Sequence, residues 1–185
     1  MSTATASEAQ IPTGTWVVDP AHSKVGFAVK HMGVTTVRGE FGEFEGTLEV
    51  GNDLSSTKAH GTVKTASVHT NQGARDEHLR SADFFDVETH PELAFESTRI
   101  EAVDGDTLRI VGDLTLHGET REIELEAEIG GIEVGMSEEH RVGLEVTGKL
   151  SRSDFGMKFN AALGSGNAVV ADKVKLTLDI EAVKA

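Results

Sequence analysis

The sequence predicts a mainly β, antiparallel fold, because hydrophobic and polar residues alternate in segment after segment from Thr15 onward. The clearest run has Ile123, Leu125, Ala127 and Ile129 separated by glutamates. A period of two places the hydrophobic side chains on one face of each strand. A second observation is that glycines are scattered at turns and bends, as curving antiparallel strands require. We therefore expect about eight half-buried strands around one core.

The alternating segments do not by themselves decide how the strands are arranged. They include Val25–Val29, Phe44–Val50, Leu108–Leu116, Ile123–Ile129, Val142–Leu150 and Val174–Ile180. A Gly-X pair in His117–Thr120 suits a tight hairpin turn. A sandwich and an up-and-down barrel both remain open, since each buries one face of every strand. Small residues at inward positions would leave volume inside a barrel, although they also mark bends; they are Ala59, Gly61, Gly112, Ala127 and Gly148.

One segment departs from the period of two. Asn71–Phe85 predicts a short helix, with Asn71 as a candidate N-cap. Leu79, Ala82 and Phe85 recur three residues apart and would share one side of it.

Length and charge limit the class of protein. A chain of 185 residues with 38% hydrophobic residues supports a single domain over residues 15–185, and we expect the small, polar segment 1–14 to be flexible. A formal net charge of −14 argues against binding to nucleic acid or to anionic membrane surfaces. The sequence shows neither a secretory signal nor a stretch long enough for a membrane-spanning helix. We expect a soluble, cytoplasmic protein without stable membrane insertion.

Several motifs follow one another in order between Thr15 and Val183. They are Trp16–Ser23, Val29–Gly33, Val37–Phe41, Phe44–Leu48, Ala66–Asn71, Arg75–Asp86, Gly112–Gly118 and Ser151–Met157. Together these motifs resemble the YceI-like, polyisoprenoid-binding family. The resemblance implies a lipocalin-like antiparallel β-barrel of about eight strands with a short helical insertion. It also implies an elongated pocket for an isoprenoid lipid of the polyprenyl phosphate or quinone type, with no catalysis and no cofactor. Family members are often periplasmic, and the absence of a leader here is a departure that concerns location rather than fold.

Large apolar side chains are our candidates for the lipid-facing wall. They are Trp16, Phe27, Val29, Phe41, Phe84, Phe85, Phe95, Leu116, Phe155, Met157 and Phe159. Ordinary core packing is the alternative for each, because a barrel interior uses the same residue types for both purposes.

Polar candidates for a lipid headgroup are fewer. His31 shares the parity of Phe27 and Val29, so it would point inward at a strand end, where a core histidine is the alternative. Arg38, Arg75 and Arg80 are candidates for a phosphate, since guanidinium pairs well with phosphate oxygens. A solvated surface position is the alternative for each arginine.

The spacing of the histidines does not support a metal site. His60, His69, His78 and His90 lie nine to twelve residues apart, which fits neither helical nor strand ligand pairs, and no cysteine is present. We therefore expect no metal site.

Two groups of neighbouring residues invite a catalytic interpretation. They are Asp19, His22 and Ser23 in one turn, and Asp76 with His78. A catalytic triad is defined by spatial roles rather than proximity in sequence, so we expect no catalytic residues.

Two other classes of function remain as alternatives. One is an enzyme that acts on a lipid inside the barrel, with His31 or the Asp19 and His22 pair as acid-base groups. The other is a protein-interaction module without a ligand cavity. A homodimer joined at one strand edge is compatible with either class, since edge strands invite pairing.

Overall fold

The computed structural model describes residues 11–165 and 168–185, and strands form most of it. The strands are β1 (Gly14–Val18), β2 (Lys24–His31), β3 (Thr35–Phe41), β4 (Phe44–Val50), β5 (Lys58–Lys64), β6 (Val68–His69), β7 (Glu92–Asp104), β8 (Thr107–Leu116), β9 (Glu119–Val134), β10 (His140–Ser151) and β11 (Val170–Lys184). One α-helix, α1, spans Gly73–Arg80. Four 3-10 turns lie at Pro20–His22, Leu54–Ser56, Thr65–Ser67 and Arg152–Phe155.

Eight strands close into an antiparallel barrel. Their order around the ring is β1, β4, β5, β7, β8, β9, β10 and β11, and β11 pairs back onto β1. The closing register places Trp16 opposite Lys184 and Val18 opposite Ala182. The predicted antiparallel barrel of about eight strands with a short helical insertion is confirmed, and the sandwich alternative is excluded.

Strand β11 is where the sheet divides into two branches. Its C-terminal end pairs with β1, whereas Val170 to Asp179 pairs with β2. The first branch continues from β1 through β4 to β5. The second continues from β2 to β3, and the short β6 adds to the end of β3. The barrel interior is therefore bordered by strands of both branches.

The alternation predicted from sequence matches the burial of β9. Ile123, Leu125 and Ala127 are buried, and the glutamates between them are exposed. His117 and Gly118 form the two-residue turn from β8 to β9 and have φ values of 55° and 76°. Two successive positive φ values are what a tight type I′ hairpin requires. The tight turn is therefore present as predicted, but its residues are His117 and Gly118, so glycine is second in the pair rather than first.

The helix is shorter than predicted and has a different cap. The side chain of Gln72 accepts a hydrogen bond from the backbone of Arg75, so Gln72 is the N-cap. Asn71 instead has a φ of 62°, and its prediction as the cap is wrong. The helix ends at Arg80 because Ser81 turns the chain, with its hydroxyl donating to the carbonyl of His78 at 2.6 Å. No helix in the described ranges is long and apolar enough to cross a membrane.

The residues that follow α1 are turns, yet most of the predicted apolar side still packs inward. Leu79 and Phe85 both join the main hydrophobic cluster of the barrel. Ala82 is exposed, which departs from the prediction for a single continuous helix.

A second, smaller hydrophobic cluster fills one end of the barrel. It contains Ile11, Trp16, Val50, Val142 and Ala182, and the Trp16 side chain is fully buried. The indole Nε1 of Trp16 donates to the carbonyl oxygen of Pro12 at 2.9 Å. Residues 1–10 of the segment predicted to be flexible lie outside the described residues, and Ile11 of the same segment is buried in this cluster.

Candidate ligand-binding cavity

A cavity of about 480 Å³ lies inside the barrel. This volume is within the range of about 300–1,000 Å³ that is usual for small-molecule sites. Aliphatic and aromatic side chains from both branches form most of its wall. They include Val25, Phe27, Val29, Phe41, Phe44, Leu48, Leu79, Phe84, Phe85, Leu93, Phe95, Ile110, Leu114, Leu116, Ile123, Leu125, Leu144, Val146, Leu150, Met157, Phe159, Val174, Leu176, Leu178 and Ile180.

Three phenylalanines form one aromatic cluster on the wall. Phe41 lies between Phe27 and Phe85, with ring centroids separated by 5.6 Å and 5.4 Å respectively. The Phe41 and Phe85 rings meet edge to face at 79°. Edge-to-face contacts between aromatic rings are favourable, and they fix ring orientation. This side of the cavity therefore has a defined shape before any ligand enters.

A second aromatic cluster joins helix α1 to the segment after β10. His78 stacks edge to face on Phe84 and on Phe159, with centroid distances of 5.0 Å and 4.9 Å. Its Nε2 lies 2.8 Å from a carboxylate oxygen of Asp83. His78 thus places a polar group at the rim of an otherwise apolar wall.

Some of the volume expected from small residues is occupied by neighbouring side chains. A Cβ at Gly112 would overlap the ring of Phe95, and one at Gly148 would overlap the side chain of Leu125. Ala59 and Gly61 do lie on the cavity wall. Glycine in this barrel therefore makes room for aromatic packing as well as for the cavity.

The polar groups of the cavity wall include several at one end of it. Lys30 and His31 end β2, and His31 is the register partner of Val170. Helix α1 adds Arg75 and His78, which are one turn apart and both exposed. We call this set of four side chains the polar mouth. Strand β2 rises about 3.3 Å per residue, so Val25 and His31 are separated by roughly 20 Å along the wall.

Arg75 is held by the loop before the helix. Its Nε donates to Thr70 Oγ1 at 2.7 Å, and its Nη2 donates to the Thr70 carbonyl at 2.9 Å. Thr70 in turn donates to the buried carboxylate of Asp76 at 2.6 Å, and this hydrogen bond lowers the pKa of Asp76. The charge of Arg75 is thus fixed at the mouth by neutral partners.

Arg152 is a cavity-wall residue that sequence reasoning missed. Although buried, it donates from three guanidinium nitrogens to the carbonyls of Ala171, Met157 and Val170, at 2.9, 2.8 and 3.2 Å. Burial lowers the pKa of its guanidinium, and the charge of Asp172 opposes that effect. The arginine fastens the start of β11 to the chain after β10. Its signal in the sequence is the family motif Ser151–Met157, which contains Arg152 but indicates no role for it.

The structure places ten of the thirteen predicted site residues on the cavity wall. They are Phe27, Val29, His31, Phe41, Phe84, Phe85, Phe95, Leu116, Met157 and Phe159. Trp16 belongs to the end cluster, Phe155 is buried beside the wall, and Arg38 is exposed on β3. Contact with a ligand stays a prediction for all of them.

The residues considered for catalysis are not arranged as triads. Ser23 exchanges hydrogen bonds with the backbone of Glu181 rather than with His22. Asp76 binds Thr70, and His78 pairs with Asp83.

An ion-pair network surrounds Arg141 at the outer end of β10. Its guanidinium lies 3.0 Å from Asp19, 2.7 Å from Glu181 and 2.9 Å from Glu139. Hydrogen bonds from His22 and Arg141 lower the pKa of Asp19 to about 2, and Asp19 raises the pKa of His22. This network links the turn after β1 to β10 and β11.

A closed antiparallel barrel with an apolar interior defines a class of protein that can enclose one small molecule. The chain belongs to the YceI-like domain family, whose model matches residues 16–182. The resemblance predicted from the motifs is thereby confirmed.

Individual relatives agree with this assignment. A UPF0312 protein of Staphylococcus aureus is 34% identical over 165 residues, which cover 88% of this chain and 94% of the relative. The crystal structure of the Campylobacter jejuni YCEI protein superimposes with a TM-score of 0.72 at 31% identity, covering 90% of this chain and 96% of that one. A polyisoprenoid binding domain from Saccharophagus degradans gives a TM-score of 0.68 over 92% and 98% of the two chains. Its identity of 13% shows a shared fold alone.

Proposed function

We propose that the protein binds an isoprenoid or similar long-chain amphiphilic lipid inside the barrel and carries or sequesters it. The observation that carries the proposal is the cavity of about 480 Å³ with its wall of aliphatic and aromatic side chains. Moving an apolar chain out of water contributes roughly 0.8 kcal/mol per CH₂. A few isoprene units therefore suffice for useful affinity without any directed bond.

The polar mouth supports an amphiphile rather than a pure hydrocarbon. Arg75 brings positive charge to the cavity in a protein whose net charge is −14. His31 and His78 add imidazole donors. A phosphate or another polar headgroup at this end would meet complementary charge while its chain lies along β2. The polyisoprenoid binding of the Saccharophagus degradans domain, which shares the fold, points to the same ligand class.

The geometry favours carriage of the lipid over its chemical conversion. The candidate acid-base residue His22 lies in the Arg141 network, outside the cavity wall. His31 does line the cavity, so it is the residue through which an enzymatic alternative would act.

Native mass spectrometry of the purified protein, followed by solvent extraction, tests the proposal. We expect an apolar adduct of one molecule per chain, and extraction should release a lipid with an isoprenoid or other long chain. The delipidated protein should then bind an added polyprenyl phosphate and melt at a higher temperature. Absence of an adduct together with no binding and no thermal shift would refute the proposal. Chemical change of the bound lipid that His31→Ala abolishes would favour the enzymatic alternative.

We also propose that two chains associate through a strand edge. Only Glu40 and Phe41 of β3 pair with β6 in the described part of the chain, so most of that edge of β3 is open. Light scattering during size-exclusion chromatography measures whether the protein has the mass of one chain or of two. If two chains associate through β3, a variant altered at the open edge of that strand should have the mass of one chain.

A further inference from the structure

Three potential metal ligands meet where the turn after α1 approaches the β8–β9 hairpin. Asp86, His90 and His117 each offer a ligand atom, and these atoms lie within 4.8 Å of one another. The imidazole rings of His90 and His117 have centroids 4.9 Å apart. Spacing along the chain does not indicate this group, because His117 is far from the other two residues in sequence.

The backbone around Asp86 and His90 holds both residues in one turn. The Asp86 amide donates to the carbonyl of Ser81 at 2.9 Å, and the His90 amide donates to the carbonyl of Asp86 at 2.8 Å. Thr65 Oγ1 donates to the carbonyl of His90 at 2.8 Å. The ligand spacing from Asp86 to His90 is therefore set by hydrogen bonds of the main chain rather than by contact between the two side chains.

His117 is oriented by the β8–β9 hairpin and the 3-10 turn after β10. Its Nδ1 lies 3.0 Å from the carbonyl oxygen of Phe155. A carbonyl only accepts hydrogen bonds, so Nδ1 carries the proton and the lone pair of Nε2 is available to a metal. A histidine whose other ring nitrogen donates to a carbonyl is the usual arrangement of metal ligands.

Two glycines provide the space for the imidazole rings. The ring of His90 lies against Gly118, where a Cβ would come within 2.8 Å of His90 Cε1. A Cβ at Gly156 would come within 3.3 Å of His117 Nδ1. Both glycines have a positive φ, so the turns that carry them also bring the two rings together.

The negative charge of Asp86 is not neutralised by a neighbouring cationic side chain in the described part of the chain. No lysine or arginine in residues 11–165 and 168–185 forms an ion pair with Asp86. The comparable group of Asp19, His22 and Glu181 differs, because Arg141 already supplies its positive charge at 3.0 Å from Asp19 and 2.7 Å from Glu181. Of these two groups, only Asp86, His90 and His117 offer ligand atoms that no arginine already pairs with.

We propose that Asp86, His90 and His117 form a binding site for one divalent transition-metal ion of the Zn²⁺ type. Two imidazoles and one carboxylate are a common three-ligand set for zinc, with water at the fourth position. Zinc ligands at about 2.0–2.1 Å from the ion lie roughly 3.3 Å from one another, so binding draws the three side chains closer by rotation. The ion would join the turn after α1 to the β8–β9 hairpin.

Tag-free protein, treated with a chelator and returned to metal-free buffer, provides the test. Calorimetric titration with Zn²⁺ should show one saturable site per chain, and Co²⁺ should give the absorption bands of a tetrahedral complex. Asp86→Asn and His90→Gln should each weaken Zn²⁺ binding at least tenfold. Asparagine tolerates the positive φ of residue 86, so the first variant keeps the backbone.

The matched control is His22→Gln, which alters the other cluster and should leave Zn²⁺ affinity unchanged. Melting of each variant in metal-free buffer shows whether it is folded. Unsaturable binding by the unmodified protein, or equal Zn²⁺ affinity in the unmodified protein, Asp86→Asn and His90→Gln, would overturn the proposal. Loss of Zn²⁺ binding only in His22→Gln would move the site to the other cluster and would also overturn it.

Discussion

The ring of Phe27 on β2 lies directly over Gly39, its register partner on β3. A Cβ at Gly39 would overlap the ring, so the absence of a side chain at that position lets Phe27 lie against the sheet. Phe27 also contacts Phe41 and Phe85 on the cavity wall. The width of the cavity on this side therefore depends on a glycine that does not itself line it.

Gly39→Val should push Phe27 into the cavity and weaken lipid binding. Overpacking of a filled position also costs about 1–3 kcal/mol of stability. Gly73→Ala is the control, because no atom lies within 4 Å of a Cβ there, and it should leave affinity unchanged. Titration of each variant with a polyprenyl phosphate, alongside urea unfolding, measures both effects. If the lipid affinity of Gly39→Val is unchanged, Phe27 does not form part of the wall of the ligand site.

Arg75→Gln should weaken binding of a polyprenyl phosphate while leaving binding of the matching polyprenol unchanged. The charged hydrogen bond to a phosphate contributes about 1.5–3 kcal/mol, which is tenfold or more in affinity. Arg38→Gln is the matched control, since Arg38 is exposed and outside the cavity wall. Equal losses for phosphate and alcohol would assign Arg75 a purely structural role through Thr70.

Asp19→Asn should reveal a pH window in stability. The lowered pKa of Asp19 stabilises the folded state above pH 3.8, and this contribution is lost as pH falls toward about 2. The raised pKa of His22 stabilises it below pH 6.5, and that contribution is lost as pH rises through the higher folded value. The free-energy difference between the unmodified protein and Asp19→Asn should therefore be largest between pH 3.8 and 6.5. A difference that does not vary with pH would contradict this assignment.

Trp16→Ala should destabilise the barrel by about 3–5 kcal/mol, because Trp16 is fully buried in the end cluster. Trp16→Phe should cost less, and neither variant should change the lipid stoichiometry. Trp16 is the single tryptophan, so unfolding should be followed by far-UV circular dichroism rather than fluorescence. Loss of lipid binding in a folded Trp16→Phe variant would place Trp16 in the ligand site after all.

The sequence predicts best those local features that depend only on residues adjacent in the chain. The burial of Ile123 and Leu125 follows from alternation, and the turn at His117 and Gly118 follows from glycine in a hairpin. The helix cap could not be predicted as well, because Asn71 and Gln72 both have a side-chain acceptor and differ only in the backbone conformation that each adopts.

Contacts between distant segments lay beyond the sequence. Arg152 reaches the cavity wall only because β11 starts beside the turn after β10. Trp16 shares the apolar character of the wall residues, yet the division of the sheet at β11 places it in the end cluster. His90 and His117 meet because a turn after α1 lies next to the β8–β9 hairpin.

The central claim is that the barrel encloses an isoprenoid chain, and titration of the delipidated protein with polyprenyl phosphates of increasing length tests it most directly. We predict one binding site per chain, with affinity rising for each added isoprene unit until the cavity is full and then levelling off, since each buried CH₂ adds roughly 0.8 kcal/mol. Affinity that is absent, or that does not depend on chain length, would contradict the claim.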